Sequence, residues 1–165
     1  MFEVGQFVVK ANTGVCRVKD IMMYSLSEED EKKLYYSLET VGEKRGTILV
    51  PVESGKSNVR PVMSRDEAED LMRQIPLIHA LESASERLRE QEYRDTIKQN
   101  QPELLVGMIK SLYLRSRERE AAGKKATAVD ERYSKMAESV LFAEVSLVLG
   151  KEEDEIRETI RKYSV

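Results

Sequence analysis

The chain has 165 residues, a net charge of −3, 41% hydrophobic and 35% charged residues, and one cysteine. That length suits one domain or two small ones with limited apolar surface for a single large core, and the lone Cys16 excludes an internal disulfide or a cysteine-cluster metal site. No apolar run is long enough to span a bilayer and the opening MFEVGQ has no basic-then-apolar leader pattern, so a cytoplasmic protein is expected.

Residues 4–10, 15–24, 34–40 and 47–52 are rich in Val, Ile, Leu, Tyr and Thr and read as strands. Turn signals at residues 12–14, 27–30, 42–46 and 54–58 separate and bound them. Four or five short strands cannot make a sandwich with two large faces. A small, strongly bent β-barrel hides its edges and shares one core, and is the expected arrangement for residues 1–62.

From Ser64 the apolar period changes. Ser64 and Glu67 form a capping box ahead of a helix that carries Ala68, Leu71, Met72 and Ile75 on one face and stops at Pro76. Ser83 and Glu86 form a second box, predicting a helix to about Asn100. Pro102 suits the first turn of a third helix, with Leu104, Leu105, Met108, Ile109 and Leu112 at helical spacing and an end near Gly123. Thr127 opens a fourth that Gly150 closes. The last has Glu152, Glu153 and Asp154 in its first turn, where the helix dipole favours acids. The expected fold is therefore α+β: a β-barrel over residues 1–62, then an all-α helical bundle over 63–165.

Little in the chain signals catalysis, and no enzyme, metal or cofactor is expected. His79 is the single histidine and reads as a packing or capping residue. Cys16 falls in a strand pattern, where a thiol behaves as a small apolar group. The carboxylates come in surface runs such as residues 28–31 and 152–155. Gly55-Lys56-Ser57 lacks the upstream glycine and following helix of a phosphate loop and reads as a turn.

Charge is unevenly spread. Residues 87–135 hold twelve Lys/Arg against eight Asp/Glu, while residues 63–86 hold two against six. Within SLYLRSREREAAGKK lie Arg115, Arg117, Arg119, Lys124 and Lys125; Arg87, Arg89 and Arg94 precede them, and Arg132 and Lys135 follow. Such a stretch can grip phosphates weakly, through the backbone and with salt dependence. Glu118, Glu120, Glu90, Glu92 and Asp95 interrupt it, and alternating charge equally describes a solvated helix.

The order of parts resembles the CarD/CdnL family of bacterial transcription regulators. It is carried by Val4-Gly5-Gln6-Phe7-Val8-Val9, Gly14-Val15 through Val18 and Ile21, Ile48-Leu49-Val50-Pro51-Val52, and the amphipathic segment from Leu104 to Arg119. The resemblance implies a Tudor-like RNA polymerase-interacting barrel. Its edge strand, Thr47, Ile48, Leu49, Val50, Pro51 and Val52, docks on the polymerase β subunit. It also implies a helical domain that contacts promoter DNA beside the melted bubble and stabilises the open complex. Several family members place a tryptophan wedge there; this chain has no tryptophan, and Glu86 falls near that position. The other reading is an adaptor on polymerase with little or no DNA contact.

Overall fold

Among the described residues, five strands precede five α-helices in the computed structural model, which describes residues 1–42, 45–53 and 58–165. The strands are β1 (Phe7–Lys10), β2 (Gly14–Tyr24), β3 (Lys33–Thr40), β4 (Thr47–Pro51) and β5 (Val59–Pro61). The helices are α1 (Arg65–Gln74), α2 (Glu86–Gln99), α3 (Pro102–Ala121), α4 (Ala128–Leu149) and α5 (Glu153–Lys162), with a 3-10 turn at Ile75–Leu77. The expected turn at residues 54–57, with Gly55-Lys56-Ser57, and part of the one at 42–46 lie outside the described residues.

The expected barrel is not closed. All neighbours in the sheet are antiparallel and the order is β4-β3-β2-β1-β5, which leaves β4 and β5 on opposite edges. Two local causes oppose closure. β5 is only three residues long and ends in Pro61, which has no N–H to donate to a further strand. The helices also cover part of the sheet, so closure is not needed to bury it. A register shift between Val18 and Asp20 in β2 supplies the bend.

Neighbouring residues of β1 feed two different cores, because side chains alternate across a strand. Val8 joins Cys16, Val18, Tyr36, Leu38 and Val50, with Phe2, Ile21, Ile48, Val52 and Val59 packed around them. Val9 points the other way and joins Val15, Met63 and the apolar faces of the five helices. The strands and helices therefore share a core, and residues 1–62 alone would expose Val9 and Val15. Gly14 lies where β2 meets α4: its φ is +101°, and a Cβ there would stand 3.7 Å from the Val140 Cα.

One polar network locks this junction. Glu144 of α4 has no exposed surface. Its two carboxylate oxygens accept a fork from Arg60 of β5, both at 2.6 Å, and Oε2 also accepts the Met63 N–H at 2.8 Å. The Arg60 Nε donates to the Asn100 carbonyl at 2.6 Å. Asn100, left-handed at the end of α2, donates its Nδ2 to the carbonyls of Val9 at 2.9 Å and Asn58 at 3.3 Å. Strands β1 and β5 are thus tied to α2 and α4 by a largely buried set of bonds in which only the Asn100 Oδ1 lacks a partner among the described residues.

α3 is the central helix, with every residue from Leu105 to Tyr113 buried. Residues 78–84 run extended along it, and the Leu81 N–H donates to the Gly107 carbonyl at 2.9 Å. Lys110, also buried, caps the carbonyls of Ile75 and Ile78, and burial pushes its ammonium pKa down. The second expected capping box is displaced as a result. Because the chain stays extended along α3, Ser85 rather than Ser83 caps α2, accepting the Leu88 N–H at 3.3 Å. The first box is as expected, with Ser64 and Glu67 exchanging bonds at 3.1 Å. Gly107 makes the close approach possible, since a Cβ there would lie 2.9 Å from the His79 carbonyl oxygen. Gly107→Ala is expected to lower stability by about 1–3 kcal/mol, seen as an earlier denaturant midpoint. An unchanged midpoint would mean that residues 78–84 lift off α3 at no cost.

Candidate functional site

The outer flank of β4 is the first candidate surface. β4 pairs with β3 in the register Thr47↔Glu39, Ile48↔Leu38, Leu49↔Ser37, Val50↔Tyr36 and Pro51↔Tyr35. The Val52 N–H donates to the Leu34 carbonyl and the Thr40 N–H to the Gly46 carbonyl, both at 3.0 Å. Even-numbered positions therefore turn their backbone groups toward β3. The odd positions Thr47, Leu49 and Pro51 turn theirs outward, and among the described residues no strand pairs with that flank. Val50 is buried in the smaller core and Ile48 is half-buried, whereas Thr47 is exposed and Leu49 is 37% exposed. Among the described residues the strand is paired on one side only, at an edge of the sheet.

The basic residues are placed differently from a free phosphate-gripping stretch. Arg115 of α3 donates its Nε to Asp130 of α4 at 2.9 Å, and its two terminal nitrogens to Glu86 at 2.5 and 3.3 Å. Arg89 lies 3.3 Å from Glu86. One helical turn along α2, Glu90 accepts from Arg132 at 2.7 Å and from the Tyr133 hydroxyl at 3.3 Å, with Arg94 at 4.0 Å. Arg117 donates to the carbonyls of Ser164 at 2.6 Å and Arg161 at 2.9 Å. Arg119 caps its own helix end on the Lys125 carbonyl at 2.7 Å. Arg87, Lys124 and Lys125 are exposed, and among the described residues their side chains have no carboxylate partner.

The sequence shows the interrupting acids, Glu90 among them, but not that Glu86, Glu90 and Asp130 bond Arg115, Arg132 and Tyr133, because those partners are 15 to 43 residues apart in the chain. Sequence reading also missed Glu144, although a lone acid inside Val140-Leu141-Phe142-Ala143-Glu144-Val145 is a readable signal.

The hydrogen bond from Arg115 holds the Glu86 carboxyl below its ordinary value of 4.5. A depressed carboxyl contributes stability above its unfolded-state pKa, and that contribution is lost as pH falls through the lower folded value. Glu86 is 71% exposed, so the energetic part is small. In a carbon-detected NMR titration its midpoint is expected below 4.5 and to move up in Arg115→Gln; a midpoint at or above the ordinary value would mean that the pair does not persist in solution.

His79 is exposed in the extended segment rather than packed at a helix entry. Cys16 is buried between strands, and burial pushes its thiol pKa up. Among the described residues no cluster of His, Cys, Asp and Glu side chains is arranged for a metal ion, and no helix is long and apolar enough to cross a membrane.

No curated protein matched in a sequence search. A scan against protein families matches residues 2–63 to the CarD-like/TRCF RID domain. The match covers all five strands and ends where α1 is about to begin. The open sheet with its β4 edge is thus the part of the chain that matches the CarD-like/TRCF RID domain, and residues 2–63 are similar to that RNA polymerase-interacting domain.

Proposed function

We propose that this protein is a transcription regulator that docks on the RNA polymerase β subunit through the outer flank of β4 and holds its helices over promoter DNA. The observation that carries the reading is that an RNA polymerase-interacting family match falls on a sheet whose β4 flank is unpaired among the described residues. A partner strand can extend the ladder there, taking backbone bonds from Thr47 and Leu49 and the carbonyl of Pro51 while Ile48, Val50 and Val52 keep the strand in place. In this reading the open sheet is a Tudor-like module, residues 1–62 dock, and residues 63–165 face the DNA. The helical part acts by binding the melted promoter better than the closed one, and a preference of about 1.4 kcal/mol shifts that ratio about tenfold. No reaction is catalysed and no cofactor is used.

Of the cations named from the sequence, Arg87 of α2 and Lys124 and Lys125 of the α3–α4 turn have no carboxylate partner among the described residues, while Arg89, Arg94, Arg115, Arg117, Arg119 and Arg132 are engaged within the chain. That in-chain pairing favours the second reading, an adaptor that docks on polymerase with little DNA contact. Open-complex lifetime on one purified promoter separates the two. A longer lifetime with the full chain present supports the first reading. An unchanged lifetime with intact capture of the β subunit supports the adaptor. Failure of the full chain to capture the β subunit removes both.

A further inference from the structure

Glu86 sits on Arg115 as a backbone phosphate would. Asp130, buried and itself held by the Tyr93 hydroxyl at 3.1 Å, fixes the Arg115 Nε and orients the guanidinium. The two terminal nitrogens then point to the surface, where the Glu86 carboxylate meets both with a two-oxygen fork. Planar two-point recognition of this kind is shared by carboxylates and phosphates. The Arg115 side chain is only 18% exposed while that of Glu86 is 71% exposed. An anion arriving from solvent can therefore replace Glu86 without opening the core. Glu90 holds Arg132, whose side chain is 58% exposed, by a single bond at 2.7 Å, with Arg94 at 4.0 Å. Arg87, which has no carboxylate partner among the described residues, follows Glu86 directly.

We propose that Glu86 and Glu90 are built-in competitors of the DNA backbone: they hold Arg89, Arg115, Arg94 and Arg132 in the resting chain and set how tightly this face grips phosphodiester oxygens. The proposal rests on the reading that the helices lie against promoter DNA. It adds that the grip is weak by construction and tightens when both carboxylates are neutralised or displaced. Exchange of carboxylate for phosphate on a preset guanidinium needs no rearrangement of α2, α3 or α4.

The test uses the full chain and a fluorescent DNA duplex of about 30 base pairs, long enough for several phosphate contacts, with binding followed by anisotropy as salt is varied and folding checked by thermal melting. Glu86→Gln/Glu90→Gln is expected to bind about tenfold or more tightly at low salt, with a salt slope steeper by about two to four, one increment for each arginine released. Adding Arg115→Gln should remove much of the gain. Glu118→Gln/Glu120→Gln changes net charge equally on α3, where among the described residues neither acid holds an arginine side chain, and should gain several-fold less. An absent gain in a folded variant overturns the proposal, as does an equal gain in the Glu118/Glu120 variant. Glu86→Gln alone carries the same test if the double variant melts early. Capture of the β subunit by the same variants is read separately, so failure of docking is distinguishable from failure of the competition.

Discussion

Glu144→Ala is expected to destabilise the protein by about 3 kcal/mol or more, within the range for removing one partner of a buried ion pair. The substitution leaves the Arg60 guanidinium without the oxygens it meets at 2.6 Å, and the Met63 N–H without its acceptor. Arg60 retains some solvent access, at 21% exposed, which places the cost toward the lower end of that range. The loss should appear in urea as an earlier midpoint with little change in slope. Replacing both partners with apolar residues, Arg60→Met/Glu144→Leu, should recover much of it, since the stranded charge goes with its partner. A cost below about 1 kcal/mol for the single variant would be what an exposed pair gives, and would mean that Arg60 re-solvates freely and that the junction does not depend on this network.

Leu49→Pro is expected to weaken capture of the polymerase β subunit by about tenfold or more, about 1.4 kcal/mol, while leaving thermal stability nearly unchanged. Leu49 turns its N–H away from β3, so proline there removes an outward donor and spares the existing ladder. Val50→Pro is the contrasting variant: its N–H faces β3 opposite Tyr36, and its loss should destabilise the sheet itself. Leu49→Ala keeps the N–H and removes only the exposed side chain. Equal losses for Leu49→Ala and Leu49→Pro would assign the contact to the side chain and exclude strand addition. Capture by Leu49→Pro at the level of the unaltered protein would exclude this flank altogether.

The parts of the fold that sequence reading recovered are those set by local chemistry. Ser64 and Glu67 cap α1, Pro102 starts α3, and Gly150 ends α4 in a left-handed conformation, each because one residue's own geometry decides the position. The parts that it misjudged are set by distant partners. Ser83 and Ser85 are equivalent as caps until the pairing of Leu81 with Gly107 fixes where the extended segment stops. β5 was not resolved as a strand because three residues with a proline give no period, and its place depends on Arg60 reaching Glu144. The candidate surfaces divide in the same way. The strand at residues 47–52 was legible from its Thr, Ile, Leu and Val content, and the family resemblance singled it out as an edge; which of its residues face the core is settled only by its pairing with β3. The basic stretch was visible as composition, but its internal neutralisation was not, since Glu86 and Arg115 meet only after α2 folds back on α3.

The open sheet also fixes a direction. Strands in a sheet turn by about 20–25° from one to the next, so the four steps from β4 to β5 accumulate about 80–100°. A polypeptide laid along β4 would therefore run nearly at right angles to β5. Because β5 is tied to α4 through Arg60 and Glu144, the twist accumulated across the sheet fixes the direction of the β4 edge relative to α4. The sheet works as a fixed elbow, and its twist decides which way the forearm points.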